Sequence, residues 1–137
     1  MIVATADSNV YVSALQFGGV PRRLLNAARA GAFRLAISEA LIAEIRGVLL
    51  EKFHWTEEMV AEATTTLRSF AQLVHPTRML RVVTEDPDDD RVLECAAASE
   101  SQFIISGDKH LLRLVQYESI RILKVAEFAA LIPTLPS

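Results

Sequence analysis

The chain predicts a layered α/β fold with a mainly parallel central sheet. Three observations carry that expectation. Short runs with almost no charge, at 2–6, 34–37 and 103–105, lack the alternation of a half-exposed strand and read as strands buried on both faces. Stretches with apolar residues at helical spacing lie between them. Strands alternating with helices in this way build parallel sheets.

In chain order, Ile2–Ala6 is an apolar strand that ends at Asp7. Val10, Leu15 and Phe17 then fall near helical spacing, and Gly18-Gly19 breaks the segment. Pro21 is expected to open the next helix and Gly31 to close it. Arg34–Ile37 is a second strand. Ser38 stands where an N-cap belongs, and Leu41, Ile42, Ile45, Val48 and Leu49 make 39–52 an amphipathic helix. Thr56 caps another helix, with Val60, Ala63, Leu67, Phe70 and Ala71 on its inner side. Residues 80–83 are expected to form a third strand. Asp86-Pro-Asp-Asp-Asp-Arg leads into a helix at about 89–100, with Val92, Leu93, Ala96 and Ala97 inside. Phe103–Ile105 is the next strand, followed by Ser106-Gly-Asp108 and a short helical segment. A strand at 120–123 and a helix near 125–132 complete the pattern, with Pro133 and Pro136 at the end.

A length of 137 residues with 51% hydrophobic content suits one domain, 1–137, with an ample core. Mean hydropathy is +0.27, which argues against disorder. The single cysteine, Cys95, excludes an internal disulfide and fits a reducing, cytoplasmic setting. No apolar run is long enough to span a bilayer, so no membrane partner is expected, and the N-terminus has no basic start of a signal peptide. The net charge of −3 argues only weakly against nucleic acid, because acids gathered in one site lower the total without making the whole surface acidic.

The acids are placed suggestively. Asp7 and Asp108 each follow a strand, and in open parallel sheets the carboxyl ends of strands face a common crevice. Asp89 and Asp90 begin a helix and can face the same crevice. Glu44 lies on or beside the inward stripe of its helix, where a carboxylate is costly unless paired or metal-bound. Each acid also has a plainer role open to it, as helix cap, turn residue or surface charge. Their joint placement is the informative feature. Carboxylates held close together cannot all ionise without a counter-charge, and an all-oxygen donor set suits Mg²⁺ or Mn²⁺ and not Zn²⁺. His54, His75, His110 and Cys95 have no zinc spacing, and neither a phosphate-binding glycine loop nor a serine nucleophile elbow is present. A carboxylate-held metal suits phosphodiester hydrolysis.

Four segments resemble the motifs of PIN domains, in the family's order and over nearly the whole chain. They are Asp7-Ser8-Asn9-Val10, Ser38-Glu-Ala-Leu-Ile-Ala-Glu44-Ile, Asp86-Pro-Asp-Asp-Asp-Arg-Val-Leu-Glu-Cys-Ala96 and Phe103-Ile-Ile-Ser-Gly-Asp108-Lys-His-Leu-Leu112. The chain is most similar to bacterial and archaeal PIN proteins described as toxins of toxin–antitoxin pairs, of the VapC type. The resemblance implies a three-layer α/β/α sandwich, Mg²⁺- or Mn²⁺-dependent ribonuclease activity, a homodimer, and inhibition by an antitoxin peptide laid across the site. Spacing from Ala96 makes Asp89 the third family acid, whereas spacing back from Asp108 favours Asp90. Asp89 is preferred because spacing within a helix cannot slip.

On this reading Asp7 and Asp108 are metal ligands, with Asp89, and Asp90 beside it, completing the site. Glu44 positions a water or takes its proton. Asn9 and Ser106 orient carboxylates or touch phosphate. Arg22, Arg23, Lys109, His110 and Arg113 are candidates for contacts to RNA, expected to be single-stranded or in loops. Two rivals stand beside this. One is a PIN-like binding module without catalysis. The other is a phosphatase- or receiver-like α/β domain. Against the latter, a dehalogenase-type phosphatase needs a second Asp where Asn9 stands, and a receiver needs a mid-chain phosphoacceptor Asp at a strand end.

Overall fold

Pairing between the apolar strands builds one six-stranded sheet in the computed structural model, which describes residues 1–132. The strands are β1 (Val3–Ala6), β2 (Arg34–Ile37), β3 (Gln72–Leu73), β4 (Phe103–Ile105), β5 (Gln116–Tyr117) and β6 (Ile120–Leu123). Their spatial order is β3-β2-β1-β4-β6-β5, and every pairing is parallel except β5 with β6. The helices are α1 (Ser8–Gln16), α2 (Gly19–Arg29), α3 (Glu39–Glu51), α4 (Glu57–Phe70), α5 (Pro87–Ser99), α6 (Lys109–Leu114) and α7 (Val125–Ala129).

The chain steps from β1 outward to β2 and β3, then returns to the other side of β1 for β4 and β6. Right-handed crossovers place α1–α4 on one face and α5 and α6 on the other, giving the three layers. Accordingly α1 packs on α2 and α3, while α5 packs across β1, β2 and β4. Ala4, Ala6, Leu35, Ala36, Ile37, Ile104 and Ile105 are all buried, as expected of strands covered on both sides.

Three elements differ from the sequence-based expectation. Residues 80–83 form no strand; the third strand lies at Gln72–Leu73, where it extends the sheet beyond β2. The apolar run at 80–83 is instead tied to α5 through side chains. The N–H groups of Val82 and Val83 both donate to Asp90 Oδ1 (3.0 and 2.9 Å), and that of Leu80 donates to Glu94 Oε2 (2.8 Å). Buried carboxylates thus supply the partners that a neighbouring strand would otherwise give. Second, α2 starts at Gly19 and not at Pro21, which sits within its first turn. Gly18 turns the chain there at φ +89°, a conformation that disfavours a side chain. Third, α7 ends at Ala129, short of 132; Pro133 and Pro136 lie outside the described residues. The antiparallel pair β5–β6 was not foreseen, because a two-residue strand carries no periodicity.

The clamp on residues 80–83 predicts an asymmetry between neighbouring acids. Asp90→Ala strands two N–H groups and is expected to cost about 2 kcal/mol of stability, whereas exposed Asp88→Ala changes it by less than about 0.5 kcal/mol. Urea denaturation of both variants measures this, and equal effects would refute the clamp.

Candidate active site

The strand order reverses between β1 and β4, so their carboxyl ends open side by side. Asp7 follows β1 directly, and its N–H donates to Ile105 O (3.0 Å) across the junction. Asp7 also caps α1, accepting the Val10 N–H at Oδ1 (3.0 Å). Its Oδ2 accepts a short hydrogen bond from the Ser106 hydroxyl. Ser106, fully buried at the end of β4, in turn accepts the Asp108 N–H at 2.9 Å. One hydroxyl therefore joins the acid after β1 to the backbone of the acid after β4. Asp108 caps α6 through the N–H groups of His110 (2.7 Å) and Leu111 (3.2 Å).

From the other side α5 brings Asp86 at its N-cap and Asp89 one turn later. Asp86, Asp89 and Asp108 each place a carboxylate oxygen within 4.8 Å of the other two. Asp89 is 7% exposed, and its Oδ2 is buried without a hydrogen-bond partner. Glu44 reaches the same region from α3, half-buried beside Ser8 and within the fields of Asp88, Asp7 and Asp86. Asp90 faces away from the cluster, onto Val82 and Val83.

The electrostatics follow from this crowding. Burial raises the Asp7 pKa, helped by the charge on Asp108 and opposed by the hydrogen bonds from Ser106 and Val10. Burial likewise raises that of Glu44, with the nearby acids adding to it and Ser8 opposing. Asp89 is pushed up to about 8, first by burial, then by Asp108, Asp86 and Asp7. Burial also acts on Asp108, but the hydrogen bond from Asp89 and the N–H groups of His110 and Leu111 outweigh it and hold its pKa low. Without a cation, this crowding favours one proton held between the pair. A buried carboxylate oxygen without a protein partner, among acids, is a fitting donor for a hard divalent cation, and Asp86, Asp89 and Asp108 could hold one. Cys95 offers no alternative nucleophile: burial drives its thiol up to about 11.

The remaining candidates are scattered. Asn9 is exposed in the first turn of α1. Arg22 reaches back to the end of α1, donating from Nε to Ala14 O (2.9 Å) and from Nη2 to Leu15 O (3.1 Å). Arg23 is half-buried, with Nε lacking a partner. Lys109 is exposed beside Asp108, and Arg113 faces Glu85 at 3.9 Å. Asp86 was not singled out from sequence. The available signal was its spacing of three from Asp89, which puts N-cap and first-turn carboxylates on one side of a helix.

Without metal, the raised pKa of Asp89 means that the folded state binds a proton which the unfolded state, near 3.8, has lost. Stability in EDTA is therefore expected to fall as pH rises from about 4 to about 8. Asp108 works in the opposite sense, but its window lies below 3.8. Asp89→Asn should flatten the slope, and Mg²⁺ should raise the melting temperature of the wild type more at pH 8 than at pH 5, because ligands bind deprotonated. Thermal melts across pH test this; an unchanged slope in Asp89→Asn would refute the shared proton.

Comparison with known proteins bears on the fold and the family. No curated protein matches the chain. Among solved structures, it is similar to a chain of the Rickettsia felis structure described as VapBC2 bound to a DNA fragment from their promoter. The TM-score is 0.65 at 13% identity, covering 90% of this chain and 98% of that one, which is a likeness of fold. In sequence, the family described as PIN domain matches residues 4–110. That span takes in every acid of the cluster, and the chain belongs to the PIN domain family.

Proposed function

We propose that this protein is a Mg²⁺- or Mn²⁺-dependent endoribonuclease and the toxin of a toxin–antitoxin pair. The observation that carries the reading is the partnerless, buried Asp89 Oδ2 inside a carboxylate cluster, at the point where the strand order reverses. A site of that kind is incomplete without a cation.

When bound, such a cation lowers the pKa of water and offsets charge on a phosphate. The chain's own residues do the rest. Asp89 and Asp108 hold the cation, and Ser106 fixes Asp7 and the Asp108 backbone relative to each other. Glu44, whose pKa is raised by burial, is suited to take a proton from the attacking water. Asn9, exposed in the first turn of α1, and Lys109, next to Asp108 in the chain, are the residues proposed to meet phosphate oxygens. Single-stranded or loop RNA is the substrate proposed, since unstacked chains reach a compact site. Arg22 is a poor candidate for RNA contact, because its guanidinium is spent on α1.

The toxin role is supported by the family and by the described complex of the structural neighbour. An apolar groove of about 370 Å³, lined in part by Leu15, Leu25, Trp55, Met59, Leu67 and Phe70, offers surface to an antitoxin segment. Its α1 wall leads back to Asp7 over roughly 10 Å of helix. A homodimer is proposed on the family's pattern.

Purified protein is expected to cleave mixed single-stranded RNA with Mg²⁺ or Mn²⁺ and not with EDTA. Asp7→Asn should abolish cleavage while leaving the fold intact. Glu44→Gln should slow it by about 10²–10⁴-fold, the range of a lost general base. Full activity in Asp7→Asn would sink the site. Absence of cleavage and of metal binding in the wild type would favour a binding module without catalysis.

A further inference from the structure

We propose that Asp86, the capping residue of α5, is itself a ligand of the divalent cation, in addition to the acids at the family's motif positions. The inference rests on the metal-dependent reading above and extends it.

The free oxygens lead there. Asp7 has both carboxylate oxygens engaged by protein donors, Oδ1 by the Val10 N–H and Oδ2 by Ser106. Asp108 uses Oδ1 for its two capping bonds. Asp86 uses Oδ1 for the Asp88 N–H at 3.1 Å, and its Oδ2 accepts no hydrogen bond among the described residues. Among Asp7, Asp86, Asp89 and Asp108, the oxygens that no backbone N–H or hydroxyl engages thus belong to the three acids that lie within 4.8 Å of one another, the orphaned Asp89 Oδ2 among them. No arginine or lysine among the described residues forms an ion pair with any of the three. With Asp89 buried and no cationic side chain paired to the three, a cation from outside the chain can replace the proton that otherwise relieves their repulsion.

Asp86 is also held in place. The Asp89 N–H donates to its carbonyl at 3.0 Å, and the segment just before it is clamped by Asp90 through Val82 and Val83. A rigidly held carboxylate contributes to cation affinity without an ordering cost.

Calorimetric titration of the full chain with Mn²⁺ tests this in the wild type, Asp86→Asn, Asp86→Ser and Asp88→Asn. Asn and Ser both retain the helix cap, so melting temperatures in EDTA should show folded protein for at least one of the two. Asp86→Asn and Asp86→Ser are expected to weaken Mn²⁺ binding by about tenfold or more, and Asp88→Asn by less than about twofold. Wild-type affinity in a folded Asp86 variant would overturn the assignment and leave the metal reading standing. Absence of Mn²⁺ binding by the wild type would overturn both.

Discussion

Parallel pairing of β1 with β4 places two loop mouths side by side, and the chemistry at that end of the molecule depends on it. The register Ala6 opposite Ile105 brings Asp7 level with Ser106. A single hydroxyl then spans the residues that follow the two strands. A slip of this register by one residue would turn Ser106 to the opposite face of the sheet. The bridge to Asp7 would be lost, and with it the anchor for Asp108. The apolar residues of β1 and β4, buried on both faces, make such a slip costly.

The second constraint is that acids must be buried here without a basic partner. The fold meets it by using helix N-termini. Asp7, Asp86 and Asp108 cap α1, α5 and α6, where backbone N–H groups and the helix dipole favour negative charge. Capping and ligand roles are therefore not rivals in this protein. A cap fixes one oxygen of the carboxylate and aims the other. Asp89, in the first turn of α5, accepts no capping N–H, and it is the acid whose pKa is displaced furthest, to about 8.

Much of this was legible in the sequence. The strands at β1, β2 and β4 were readable because burial on both faces suppresses alternation, and the helices α3 and α4 because Ser38 and Thr56 announce them. Leu80–Val83 misled for a physical reason: Leu80 and Val83 do pack inward, but the backbone of the segment is satisfied by Asp90 and Glu94 and not by a strand. In the structure Asp89 lies with Asp86 and Asp108, while Asp90 is turned onto Val82 and Val83. Asp86 was hidden because Asp-Pro at a helix start is sufficiently explained by capping. Arg22 read as a candidate for RNA contact because nothing in its local sequence shows that its guanidinium reaches back to Ala14 and Leu15.

The two edges of the sheet bear on how copies of this chain can meet. Both outer strands, β3 and β5, are only two residues long. An incoming strand would find almost no ladder to extend, so the sheet cannot grow from one molecule into the next. Association of copies, and protection from fibrous aggregation, are thereby separated: the first is left to helix faces, and the second is built into the brevity of the margins.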